Sequence, residues 1–237
     1  MDATRSANVW PLFDLVVTTP RLRLRYATDH DLQTLARFRR RGVVTSDGEE
    51  PFDGDSTFYM EAPEAESRAL TGEWGARART SAEWWHLSFA VLIDDEVVGQ
   101  QNITGIDFRR RRTVTSFSFL ARTHQGQGVG QEMRSAVLHL AFAGLGALRA
   151  ESDAFSDNPA SLGVSRALGY RQTGQCSRPG PAAPTPCFAS SSRERFGRQG
   201  AGTTWRSKAS NPVCRSSVSR AAQRTPLRRS PMPGLYG

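Results

Sequence analysis

Residues 15–175 read as an α+β domain, and three observations point to that class. WWHLSFAVLI (84–93), EVVGQQNITGIDF (96–108) and TVTSFSFLA (113–121) follow one another on short polar turns. Such spacing marks an antiparallel meander. The apolar spacing then becomes that of a helix over 129–143, followed by a strand at 147–152 and a helix at 156–170. Lastly, the composition breaks near residue 175. Up to that point there are 20 Arg, no Lys and 22 Asp+Glu, a net of −2. Beyond it stand ten Arg, Lys208 and the single acid Glu194, a net of +10. The whole chain's formal charge of +8 is therefore a property of its tail. The tail also holds all three cysteines and eight of the 13 prolines.

The elements follow in order. Residues 1–14 are a loose lead-in. LVVTTPRLRLRYAT (15–28) reads as a strand, with Leu22, Leu24 and Tyr26 on one face and Arg21, Arg23 and Arg25 on the other. This alternation is that of a half-buried strand. Thr28 is a good N-cap, and Asp29 and Asp31 suit the positive end of a helix dipole. Leu32, Leu35, Ala36 and Phe38 then form one helical stripe to about Arg40. Residues 42–61 read as a loop, and 64–79 as a second helix interrupted by Gly72 and Gly75. In the meander, Asp94-Asp95 is a turn, Gly99 marks a bulge and Arg109–Arg112 form a basic turn. The helix at 129–143 puts Val129, Met133, Val137, Leu140 and Ala141 on one face and ends at Gly144 and Gly146. The last helix opens with cap chemistry and Pro159 near its first position, and ends at Gly169. The order is β-α-α-β-β-β-α-β-α. The closing C-terminal strands are expected to be missing or corrupted, because 176–237 sustain neither period.

Several functional classes are excluded at this level. No run of about 18 apolar residues predicts a membrane span. The opening MDATRSANVWPLFD has no basic-then-apolar pattern, so no secretory signal is expected and the expected compartment is cytoplasmic. Cys176, Cys187 and Cys214 form no CxxC pair, and no metal site is expected.

HQGQGVG (124–130) lies between a strand and a helix. Gly126, Gly128 and Gly130 permit a sharp turn, and the N–H groups of loop and first helical turn converge into a phosphate-binding nest. The GK[ST] ending of a P-loop is absent, and the preceding strand belongs to a meander rather than to a βαβ unit. On these residues the chain resembles the GCN5-related N-acetyltransferase (GNAT) superfamily. Gln125-Gly126-Gln127-Gly128-Val129-Gly130 matches its Q/R-x-x-G-x-G/A signature. TPRLRLR (19–25) and DNPASLGVSRALGY (157–170) resemble the opening strand and the N-x-x-S-x-x-V-x-x-x-L-G-Y/F helix of the branch containing the RimJ/RimL-type ribosomal-protein N-terminal acetyltransferases. The resemblance covers about 15–172. It implies a mixed, mostly antiparallel sheet flanked by helices, with acetyl-coenzyme A as co-substrate.

What the resemblance implies for the site is specific. Residues 125–130 hold the pyrophosphate. The strand ending at Ala121 splays from 147–152, and the pantetheine arm pairs with backbone at Phe119, Leu120 and Ala121. Asn158 and Ser161 match cofactor-contacting positions, and Asn158 is equally explained as a helix cap. An amine then attacks the thioester directly, whether on a protein N-terminus or on a small molecule. Ser116 and Ser118 stand where many members carry a Glu, and no Tyr lies among Val164-Ser165-Arg166-Ala167. Glu151 and Asp153, at the end of the fifth strand, remain as base candidates, with a solvated strand end as their plain alternative. A degenerate acyl-coenzyme A-binding protein is the competing reading. No membrane partner is expected, and the protein is expected to be a monomer or homodimer.

The tail has two readings. One is a basic arm that binds nucleic acid. The other is a shifted reading frame. TTWRSKASNPVCRSSV (203–218) can be written in codons that, read two bases later, give DVEVEGLEPCLPLFG, a strand-like string with the acids the tail lacks. This favours a frameshift within 171–190.

Overall fold

The computed structural model describes residues 9–41, 60–154, 158–176 and 185–191. The expected loop at 42–61 and most of the tail lie largely outside these residues.

Opening the chain is a hairpin, not one strand. β1 (Val16–Thr18) and β2 (Arg23–Tyr26) pair antiparallel, Val17 opposite Leu24. The turn between them is fixed by Thr19, whose N–H donates to the Leu22 carbonyl and whose hydroxyl accepts from the Leu22 N–H. Pro20 has no N–H to extend a ladder. The expected faces hold, because Leu22, Leu24 and Tyr26 are buried. α1 (Asp29–Arg41) is capped as expected, the Thr28 hydroxyl accepting from the Asp31 N–H at 3.2 Å.

Asp31 is fully buried. It accepts from Arg25 at 2.7 and 3.1 Å and from the N–H and hydroxyl of Thr28. Burial pushes its carboxyl up, but the bonds from Arg25 and Thr28 outweigh this and hold it below the usual carboxylate range.

α2 (Glu64–Ala78) runs through Gly72 and Gly75 and packs beside α1. The meander follows as β3 (Trp84–Ile93), β4 (Glu96–Ile106) and β5 (Thr113–Leu120). Asp94 and Asp95 both take positive φ, 48° and 64°, the conformation of a tight two-residue hairpin turn. Val91 pairs with Gly99 but Leu92 with Val97, so the extra residue Val98 makes the expected bulge beside Gly99. The basic turn contains one helical turn, α3 (Phe108–Arg111), between Asp107 and Arg112 in the left-handed region.

α4 (Val129–His139) ends in a wider turn at Leu140–Gly144 and leads to β6 (Arg149–Asp153). β6 joins β5 in parallel, the single parallel pairing among the described residues. α5 (Pro159–Ala167) then crosses back. α4 and α5 cover one face over a core of Phe89, Val91, Ile103, Val114, Met133 and Leu162. α1 and α2 cover the other through Leu32, Leu35, Ala90, Leu92 and Phe119.

The closing strands depart from expectation. β7 (Arg171–Cys176) and β8 (Thr185–Ser191) form an antiparallel pair, and β8 also pairs with β6, Glu151 opposite Ala189. The sheet order is β1-β2-β3-β4-β5-β6-β8-β7. Ladders are made by backbone groups, which a segment without alternating side chains still supplies. The fold thus extends past residue 175.

Candidate active site

The loop before α4 has the geometry of an anion cradle. Gly126 and Gly128 sit at φ +72° and +79°, where L side chains are strained. Among the described residues, the N–H groups of Gly126 to Gln131 donate to no backbone acceptor. Two glutamines pin the loop: the Gln125 amide donates to the Leu120 carbonyl at 2.9 Å, and that of Gln127 to the Thr123 carbonyl at 2.8 Å. Val129 is buried and anchors the helix. A side chain on Gly130 would approach Val164 of α5, at 3.6 Å from its Cβ. Open donors, a helix dipole and no bulk over Gly126 together fit a pyrophosphate.

The cradle opens onto a gap between β5 and β6. Their ladder holds only Thr113–Arg149, Val114–Ala150 and Thr115–Glu151. β5 runs on to Leu120 beside β4 alone on that side, while β6 runs on to Asp153 beside β8. The expected splay is therefore present. The Ala121 N–H bonds back to the Val98 carbonyl at 2.8 Å, so Phe119 and Ala121 turn their peptide groups toward β4. The alternate residues Ser118 and Leu120 turn theirs toward the gap. Of Phe119, Leu120 and Ala121, only Leu120 turns its peptide group toward the gap, as Ser118 does.

Asn158 caps α5, its Oδ1 accepting from the Ser161 N–H at 2.9 Å. Glu151 and Asp153 lie on the α1/α2 side of β6. Glu151 is ion-paired with Arg149 at 2.8 Å, 31% exposed, and stands in the last paired row beside Thr115. A shallow surface hollow beside it is lined by Thr104, Ile106, Arg111, Thr113 and Thr115. Asp153 is exposed at the strand's end.

Sequence reasoning missed two polar features. Arg21, read as a solvated strand residue, sits at the cradle: it donates to the Gln127 carbonyl and forks onto Glu132 of α4 at 2.6 and 2.7 Å. On the α2 side of the sheet, Glu73 accepts from the Gln100 amide at 2.6 Å and lies 3.5 Å from His86, which bonds Thr104. Neither contact has a local sequence signal, because the partners are 106–111 and 13–27 residues apart. Among the described residues, no cluster of His, Cys, Asp or Glu is arranged to hold a metal ion, and no helix is long and apolar enough to cross a membrane.

Known proteins share this fold. Mycobacterium smegmatis RimJ, solved with CoA-disulfide, superposes with a TM-score of 0.60 at 21% identity, over 76% of this chain and 87% of that one. Ribosomal-protein-S5-alanine acetyltransferase from Vibrio fischeri gives 0.60 at 16%, over 76% and 98%. A chimera of Vibrio cholerae spermidine N-acetyltransferase SpeG with hSSAT gives 0.58 at 13%, over 75% and 99%. At these identities they establish the fold. The family model of the GNAT acetyltransferase domain matches residues 21–171, the stretch that holds both cradle and gap. The chain belongs to the GNAT acetyltransferase domain family.

Proposed function

We propose that the protein transfers an acetyl group from acetyl-coenzyme A directly to a primary amine, as the RimJ/RimL-type branch does. The observation that carries this is the glycine cradle opening onto a gap with an unpaired strand edge. Residues 125–130 hold the pyrophosphate through backbone N–H groups, and Arg21 adds a cation at the rim. The peptide groups of Ser118 and Leu120 receive the pantetheine arm, and a strand-edge N–H steadies the oxygen that becomes negative in the transition state. Phe119 and Ala121 hold that edge in register. Asn158 and Ser161, at the start of α5, supply further cofactor contacts in this reading.

The amine approaches from the α1/α2 side. Glu151, at the apex of the gap, is the nearest of the expected carboxylates to take its proton, with Asp153 further along the same edge. Holding thioester and amine together supplies much of the rate. The S5-alanine enzyme is named for a protein acceptor and SpeG for spermidine. A protein N-terminus or a small polyamine is accordingly the acceptor class to test first.

The same reading makes residues 15–175 the acetyltransferase domain, with β8 added to its sheet from the tail, places it in the cytoplasm as monomer or homodimer, and takes the basic tail as out-of-frame text whose backbone still pairs. The genomic DNA over codons 165–237 decides the tail: an intact frame through codon 237 would remove that reading. Calorimetry with acetyl-coenzyme A and an acetylation assay over peptide and polyamine acceptors test the rest. Micromolar binding with turnover of one amine class is expected. Binding without any turnover would favour a degenerate coenzyme-binding protein, and absence of binding would overturn the proposal.

A further inference from the structure

Arg134 of α4 has no ordinary reason to be where it is. Its residue is 4% exposed, yet among the described residues no carboxylate pairs with it. Burial pulls its pKa down, and only Tyr170 pushes back. An unpaired cation out of water is costly unless the geometry around it gives something in return.

The geometry around Arg134 is that of a bridge. One terminal nitrogen of the guanidinium donates to the Ser118 hydroxyl on β5 at 3.0 Å. The other donates to Ser165 of α5 at 3.1 Å and reaches Ser152 of β6 at 3.5 Å. Ser152 follows Glu151 directly and Ser118 stands three residues past Thr115, both beyond the last row in which the two strands pair. Where the backbone ladder stops, a rigid planar fork spans it instead. Arginine alone among side chains offers such a fork.

Hydroxyls surround the guanidinium, and among the described residues no carboxylate does. The Arg134 Nε and the hydroxyls of Ser116 and Tyr170 are buried without a well-formed hydrogen bond. Among the described residues no carboxylate competes for the guanidinium.

We propose that Arg134 is the strut that sets the width of the β5–β6 gap, and that coenzyme affinity depends on it. It is a positioning residue, acting through Ser118 and Ser152 rather than on the reacting atoms. The inference rests on the coenzyme reading above and adds to it a residue outside the glycine cradle. It also separates affinity from stability. Replacing buried ionic groups by packed apolar residues of similar volume is often neutral or stabilising, because the cost of holding charge out of water goes with them. A residue needed only for packing would thus be replaced by methionine with little effect on either.

The test uses the full chain and coenzyme A itself as probe, with calorimetric affinity and thermal midpoint measured side by side. Arg134→Met should bind at least tenfold more weakly with its midpoint unchanged or raised. Ser118→Ala and Ser152→Ala should each weaken binding about threefold or more, and neither should weaken it further when added to Arg134→Met. That non-additivity is the signature of one strut. Unchanged affinity in folded Arg134→Met, or losses that simply add, would overturn the inference while leaving the acetyltransferase reading intact. If Arg134→Met does not fold, the two serine variants decide: unchanged affinity in both overturns it. A wild-type chain that binds no coenzyme A overturns both readings at once.

Discussion

Gly128→Glu is expected to weaken coenzyme A binding at least a hundredfold while leaving the domain folded. Gly128 caps α4 at φ +79°, and a side chain there enters the strained left-handed region at about 1 kcal/mol. A carboxylate at that place also meets the positive end of the helix, which favours it by about 0.3–1 kcal/mol. For stability the two effects nearly cancel. For binding they do not. The new carboxylate competes for the open N–H groups of Gly126 to Gln131 and for Arg21, whose guanidinium lies 3.6 Å from where the Cβ would stand. It also repels the phosphates it displaces. A hundredfold loss is about 2.7 kcal/mol, within reach of one misplaced charge in a partly dry site. Gly128→Ala separates the causes, since it carries the backbone strain without the charge and should cost less than tenfold. Calorimetry and a thermal melt on all three proteins check this. A dissociation constant for Gly128→Glu within threefold of wild type would mean that the cradle is not the phosphate site.

The cradle was legible because its physics is local. Three alternating glycines between a strand and a helix state a backbone requirement that few other structures have, and the structure puts Gly126 and Gly128 in positive φ. The Thr28 cap, the Asn158 cap and the Val98 bulge beside Gly99 were legible for the same reason. Each is decided within about four residues. Arg21 and Arg134 were not. Arginine on a strand's polar face or on a helix reads as solvated unless the partner is known. The three hydroxyls that hold Arg134 lie on β5, β6 and α5, 16, 18 and 31 residues away.

The errors have physical causes as well. The first strand became a hairpin because Thr19 satisfies both ends of a turn at Pro20, while burial of Leu22, Leu24 and Tyr26 looks the same in one strand or two. The closing strands are hard to read in the sequence because 176–237 sustain no alternation. Their ladders need only peptide groups, and alternation reports which face is buried rather than whether pairing occurs. The carboxylates of Glu151 and Asp153 fell on the expected strand end. Glu73, held on the opposite side of β4 from the gap, depends on a helix-to-sheet contact that no spacing reveals.

Gly99→Ala should be among the most damaging single changes in the sheet, and its damage should reach the coenzyme. A Cβ on Gly99 would stand 2.5 Å from the Phe119 carbonyl oxygen, 2.7 Å from the Leu120 Cδ2 and 3.1 Å from the Leu120 Cα. Two of these are backbone atoms of β5, which cannot rotate aside, so β5 must move off β4 toward the gap. Overpacking of this kind costs about 1–3 kcal/mol, and a rigid neighbour puts it at the upper end. In a domain of this size about 3 kcal/mol lowers the melting midpoint by roughly 6–12 °C. The displaced residues are those that form the gap's β5 edge, so coenzyme A affinity should fall about tenfold in the protein that remains folded. Gly105→Ala is the matched control. Its Cβ would press on the Trp85 ring at 2.5 Å, on the same strand, but at the end where β5 and β6 are still paired. It should destabilise comparably and leave affinity unchanged. Equal affinities for the two folded variants would show that the β5 edge is not where the arm binds, whatever the melting temperatures say.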